Sequence, residues 1–162
     1  MRYDEPDPVA ESSCIIGPLT ASRNGNRQRP MKIELDRTGL NRIRNYAPGQ
    51  ITVNESVLRS SVLVTPERLY PDWQVASAEA LTREHFQRIA ALRPEVVVLG
   101  TGARQRFPSP AALQPLVDAG IGLEVMNTPA ACRTYNVLAG DGRRVLAALL
   151  MIEPAPQPDS TE

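Results

Sequence analysis

The sequence predicts an α/β fold of three layers, with a mixed central sheet, two consecutive βαβ units and added antiparallel β-hairpins. Three observations predict it. Val96-Val-Val-Leu99 and Val145-Leu-Ala-Ala-Leu-Leu-Met-Ile152 are almost continuously apolar, as strands covered on both faces are. Between them a hydroxyl residue twice precedes proline, at Ser109-Pro110 and Thr128-Pro129, a signature of helix starts. Upstream, from Ile33 to Thr65, apolar and polar residues alternate over short runs broken by turn signals such as Pro48-Gly49, which reads as hairpins with one wet face.

Composition bounds the function. At 162 residues with 42% apolar content, one domain with one core is expected, over residues 31–152. Residues 1–30 mix Pro, Ser, Asn, Gly, Arg and acids, and 153–162 are Pro-rich and polar; both read as disordered tails. Met31 is a candidate true start, the alternative being a real flexible extension. Acids and bases number 18 each, so no nucleic-acid partner is expected. Lys32 is the single lysine, which we read as compositional bias and not as phosphate recognition. Cys14, Cys132 and His85 are too few and too scattered for a zinc site, and a disulfide is not expected. No apolar run approaches the ~20 residues of a membrane span. Asp4, Glu5, Asp7 and Glu11 do not suit a transit peptide. A cytoplasmic protein without membrane insertion is the simplest reading.

In chain order, Ile33 and Leu35, then Ile43 to Tyr46, Ile51 and Val53, Val57 and Leu58, and Ser61 to Thr65 form the β text. Pro66 to Pro71 reads as irregular, and Trp73 with Val75 as a short extended piece whose indole anchors the core. Leu81 to Leu92 reads as a helix capped by Thr82, with Glu84 in its first turn. Phe86, Ile89 and Ala90 form its apolar stripe, Pro94 ends it, and His85 falls off the stripe as a surface or boundary residue. The next helix, Ser109 to Gly120, takes its stripe from Leu113, Leu116 and Val117 and ends on Gly120; Pro115 inside it predicts a kink or break. Ile121 to Met126 reads as a strand, Thr128 to Leu138 as a helix capped by Thr128, and Arg143 to Ile152 as the last strand. One of Arg143 and Arg144 is expected to pair with Asp141 or Glu124. Two strand–helix–strand units in succession imply right-handed crossovers and a parallel core of three strands.

Two turns carry the candidate site. Gly100-Thr101-Gly102 follows a strand, at the edge of an α/β sheet where ligands usually bind. As a dinucleotide fingerprint it fails: Gln105 stands where a third glycine is needed, and a six-residue loop, Ala103 to Pro108, delays the helix. No cofactor is therefore expected. Arg104 and Arg106 project from that loop, solvated or facing an anion. Thr128 to Ala131 present a helix N-terminus, an anion site by geometry and dipole. Cys132 lies one turn in, either as a structural thiol or as a thiolate activated by the helix end, but no base accompanies it. Tyr135 and Asn136 follow, expected to seat the helix by hydrogen bonds. The candidate ligand-binding set is thus Gly100, Thr101, Gly102, Thr128, Ala131, Cys132, Tyr135 and Asn136, with no catalytic residue assigned.

The same residues carry a resemblance. Val96-Val-Val-Leu-Gly-Thr-Gly102, Gly120-Ile-Gly-Leu-Glu-Val125, Thr128-Pro-Ala-Ala-Cys-Arg-Thr-Tyr-Asn-Val-Leu138 and Gly142-Arg143, in this order and spacing, resemble a family of small domains of unknown function. Its eukaryotic members include mitochondrial complex I assembly factor 3 and an adipogenesis-associated protein. Ser61-Val-Leu-Val-Thr-Pro66, Trp73-Gln-Val75 and Leu81-Thr-Arg-Glu-His-Phe86 are similar too, so the likeness spans about Lys32 to Leu150. Asp141-Gly142-Arg143 departs slightly from the family's Glu-Gly-Arg. The resemblance implies a three-layer α/β fold with a mixed sheet and β-hairpins, and no established enzymatic activity. With no complete catalytic set present, three functions follow in order: a non-enzymatic accessory protein with a protein partner, linked to respiratory or membrane complex assembly; a binder of a small anionic ligand between the Gly100–Gly102 turn and the Thr128 helix end; a thiol enzyme using Cys132.

Overall fold

A computed structural model describes residues 39–154. The expectations on residues 1–30, Met31, Ile33, Leu35, Cys14 and the last eight residues lie outside them. The element order is β1 (Ile43–Ala47), β2 (Gln50–Val53), β3 (Ser56–Leu58), β4 (Val62–Val64), β5 (Leu69–Tyr70), α1 (Arg83–Ala91), β6 (Val96–Thr101), α2 (Pro110–Asp118), β7 (Gly122–Met126), α3 (Thr128–Gly140) and β8 (Val145–Leu150). A 3-10 turn, Ala78–Ala80, precedes α1.

The central sheet has the order β5-β4-β8-β6-β7. Strand β6 pairs in parallel with β7 and β8, while β4 joins β8 and β5 antiparallel. The expected parallel core of three strands is present, with one hairpin extending it. The other strands form a separate antiparallel sheet, β1-β2-β3. Its two-residue loops turn at Gly49 (φ +74°) and Asn54 (φ +53°); glycine and asparagine are the residues that best accept such angles.

The apolar strands face two ways because successive side chains alternate. Val96 and Val98 of β6, with Val145, Ala147 and Leu149 of β8, pack against α3 and the small sheet through Ala131, Cys132, Ile43, Ile51 and Val53. Val97, Leu99, Leu146 and Ala148 pack on the opposite face with Phe86 and Ile89 of α1 and Leu116 of α2. These are the three layers. Helices α2 and α3 thus lie on opposite faces, because β7 and β8 flank β6 on opposite sides and right-handed crossovers require it.

Several expectations are corrected. The segment Pro66 to Pro71, read as irregular, holds a short strand, Leu69–Tyr70, and Trp73 and Val75 lie outside any regular element. Trp73 is 2% exposed all the same, packed in coil with its indole edge-on to His85. His85 completes the cap of α1: its Nδ1 accepts from the Thr82 N–H at 3.0 Å, a role hidden because histidine replaces the usual Glu or Gln of a capping box. Val117 is 68% exposed, and Ala112, Pro115 and Leu116 form the buried stripe of α2. Pro115 does not break α2, which is one helix of nine residues. The proline can only deprive the Ala111 carbonyl, and Ala111 is exposed to water. Helix α2 does end on Gly120 (φ +65°), where the Ile121 N–H reaches Leu116 O and the Gly120 N–H reaches Val117 O, a Schellman closure. Finally, Arg143 pairs with Glu95 and not with Asp141 or Glu124, because β8 begins only at Val145 and Arg143 sits in the loop before it. That hydrogen bond holds the Glu95 carboxyl below its usual range.

The small sheet is held to α3 by side chains. Asn136 Oδ1 accepts from the Ile43 N–H at 3.0 Å, and its Nδ2 donates to Ile43 O at 2.8 Å, so the amide mimics a neighbouring strand. The Tyr135 hydroxyl donates to Asn41 O at 2.9 Å. We predict that Asn136→Ala costs about 2 kcal/mol by stranding both Ile43 groups, read by urea unfolding.

Candidate functional site

The carboxyl ends of β6, β7 and β8 meet the start of α3 at one edge of the sheet. Strand order reverses there, between β6 and β8, and in open α/β sheets such a reversal opens a crevice that ligands use. Here the crevice is occupied by the chain itself. Thr128 is fully buried. Its hydroxyl accepts from the Gly102 N–H at 2.9 Å and donates to Leu150 O at 2.7 Å, tying β6 to β8. The Thr128 N–H closes a return bond to Gly102 O at 2.8 Å.

Each glycine of the turn has its own reason. Gly102 takes φ +92°, a conformation that other residues adopt at a cost. Gly100 is needed for closeness: a Cβ there would lie 2.9 Å from Thr128 Oγ1 and 3.0 Å from both Thr128 Cα and Ala131 Cβ. Thr101 is also internal. Its hydroxyl reaches Arg104 O at 2.8 Å and Met126 O at 3.1 Å, and accepts from the Arg106 N–H. Arg106 pairs with Glu79, while Arg104 is exposed.

Asn127, not Thr128, caps α3: its Oδ1 accepts from the Ala130 N–H at 2.9 Å. Thr128 becomes the first helical residue, which moves proline to the second. The N–H groups of the first turn are therefore engaged. Thr128 donates to Gly102, Ala130 to the cap, Ala131 to Asn127 O, and Pro129 has none. Thr128, Ala131, Cys132, Tyr135 and Ala139 are all buried; Gly100, Gly102, Thr128 and Ala131 come together as packing, whereas Tyr135 and Asn136 bond instead to Asn41 and Ile43. Asn136, half-buried, faces β1.

Cys132 is 1% exposed, and burial pushes its thiol up to about 12. Desolvation outweighs any help from the helix end, so the thiolate that nucleophilic chemistry requires is suppressed. Burial raises the Tyr135 hydroxyl as well. The pH consequence follows from linkage. In the unfolded chain an ordinary thiol ionises near ~8.5, while the folded chain keeps its proton to about 12. The unfolded state then binds fewer protons, so stability falls as pH rises across that window, by up to ~1.4 kcal/mol per unit for one group. Below ~8.5 Cys132 contributes no slope. Urea midpoints against pH are expected to show this fall, and Cys132→Ala to flatten it between ~8.5 and ~10, above which the raised Tyr135 hydroxyl adds a fall of the same sign.

Among the described residues a groove of about 500 Å³ lies at the opposite edge of the sheet, where β6 and β8 begin. Arg68, Arg93, Arg143 and Arg144 line it with Glu67. Sequence reading missed this groove, because its residues come from four separated loops and helix ends. One local signal existed: Arg93-Pro94 follows the helix, where a C′ residue adopts the left-handed conformation, and Arg93 does so at φ +50°.

A family described as "Protein of unknown function (DUF498/DUF598)" matches residues 43–150. The chain belongs to this family. Among its relatives is NADH dehydrogenase [ubiquinone] 1 alpha subcomplex assembly factor 3 of Bos taurus, 34% identical over 80% of this chain and 77% of that protein. A crystal structure from Bordetella parapertussis, 40% identical, superposes with a TM-score of 0.67 over 71% of this chain and 98% of the other. A solution structure from Bordetella pertussis, named a Mth938-like domain, is 32% identical with a TM-score of 0.65, over 74% and 90% of the two chains. The α/β fold expected from the sequence and the family resemblance are thereby borne out. Among the described residues no helix is long and apolar enough to cross a membrane.

Proposed function

We propose that this protein is a non-enzymatic accessory factor that acts in the cytoplasm through a protein partner and supports assembly of a respiratory or membrane complex. One observation carries the reading: the crevice where an α/β sheet would hold a ligand is filled by Thr128 and closed by its hydrogen bonds to Gly102 and Leu150. The residues read as a ligand set then serve to hold α3, the small sheet and the central sheet in one arrangement, and the surface is left to act. Relatives named as assembly factors of NADH dehydrogenase support the same direction. The anionic-ligand alternative would require the Gly100–Gly102 turn, Thr128 and Ala131 to release the bonds they now make among themselves. The thiol-enzyme alternative would require Cys132 to ionise where burial opposes it.

The test is deletion of the gene in its host, followed by native electrophoresis of the respiratory complexes and affinity capture of the tagged protein. Reduced assembly of an NADH dehydrogenase, with capture of one of its subunits or another assembly factor, is expected. Normal assembly in the deletion strain overturns the proposal.

A further inference from the structure

The groove is rich in arginine, yet the chain as a whole carries equal numbers of acids and bases. Its lining places four arginines against the single acid Glu67, a local excess that composition does not account for. Arg143 is already paired with Glu95. Among the described residues Arg68, Arg93 and Arg144 form no ion pair, and all three are exposed.

Two further features point to a bound segment. Arg93 holds φ +50° at the residue after the α1 cap, a position where glycine would be relaxed and a long side chain is strained. The strain sits at the rim of the groove. Below the rim, Leu40, Leu92, Pro94 and Ala139 provide apolar lining, and Leu92 is 40% exposed. Arginine is enriched at protein interfaces, and the exposed Leu92 in the same lining offers an apolar contact. Like charges that line one groove also raise the local potential that draws in an opposite charge.

We propose that this groove docks an acidic segment of a partner protein, its carboxylates meeting Arg68, Arg93 and Arg144 and an apolar side chain resting on Leu92 and Pro94. The proposal rests on the accessory reading above and gives the partner its chemistry. A peptide suits the groove better than a small anion, because Arg68, Arg93 and Arg144 come from three separate segments of the lining, which the exposed Leu92 shares.

Arg93→Gly separates recognition from folding. It relaxes the left-handed backbone, so thermal stability is expected to rise while binding falls. If Arg93 served only as a counter-charge to the carbonyl end of α1, stability would fall instead and the proposal would fail. The binding experiment uses the full chain and a fluorescein-labelled short peptide alternating Glu with Leu, read by anisotropy. Its Lys–Leu counterpart and free citrate are the controls. We expect the acidic peptide to bind, with roughly tenfold weaker binding for the Lys–Leu peptide, for Arg93→Gly and for the Arg68→Glu/Arg144→Glu double variant. Amide shifts should cluster at Leu40, Leu92 and Gly142. Equal affinity in the variants, shifts confined to another face, or displacement by citrate at the peptide's own concentration would overturn it. Complementation keeps the two proposals apart. A double variant that restores complex assembly in the deletion strain rejects the groove alone, whereas normal assembly in the deletion strain itself rejects the accessory role.

Discussion

Thr128→Val lowers stability by about 2–4 kcal/mol, with a Tm fall on the order of 10 °C. Valine matches threonine in shape, so no cavity opens. What is lost is a hydroxyl that both accepts from the Gly102 N–H and donates to Leu150 O. Both backbone groups lose their partner in a place that is fully buried at Thr128, and each unsatisfied group costs about 1–3 kcal/mol. Thr128→Ser keeps the hydroxyl and is expected to recover most of the loss. A calorimetric scan of the three proteins checks this. An unchanged Tm for the valine variant would mean that the junction between β6 and β8 does not depend on the hydroxyl.

Gly100→Ala is the second large effect, about 1–3 kcal/mol of overpacking. Gly100 is absent from the residues with positive φ, so the backbone itself tolerates alanine. The penalty comes from the three atoms within 3.0 Å of the new methyl, one of which is the Thr128 Cα. A backbone atom cannot swing aside, so α3 must retreat and its hydrogen bonds at Thr128 must lengthen. The two substitutions therefore damage one junction. In a double-mutant cycle, Gly100→Ala with Thr128→Val is expected to cost less than the sum of the single changes, since residues sharing a contact do not add. Strict additivity in denaturant unfolding would show that the methyl is accommodated elsewhere.

The strongest sequence signals were those with a single physical cause. Val96 to Leu99 and Val145 to Leu150 are apolar throughout because both faces of each strand are covered, and that pattern has few other readings. Gly120 ends α2 because a left-handed residue closes the helix there. The Gly100-Thr101-Gly102 turn does lie against the start of α3, but its meaning depends on whether Thr128 faces outward or inward. A threonine before a proline suits either an N-cap or a first helical residue, and only the position of Asn127 one step earlier decides it. Val117 fell on the expected apolar stripe, yet α2 rotates so that Ala112, Pro115 and Leu116 face the sheet. Cys132 shows the same limit: helix position alone argued for a low thiol pKa, whereas burial, a tertiary property, reverses the sign. The groove at the opposite edge gave almost no local signal, since Arg68, Arg93 and Arg144 meet only after the sheet has formed.

The place of β8 has a consequence for how the protein is made. It is the last strand in the described chain, yet it lies in the middle of the central sheet, between β4 and β6. During synthesis β4 and β6 therefore emerge early and wait with open edges and apolar faces until Val145 to Leu150 follow. Unpaired strands of that kind invite association with other chains. A nascent chain halted before Val145 holds its other sheet strands without the one strand that joins them, so the arrival of Val145 to Leu150, and not any earlier step, is the moment at which this sheet closes.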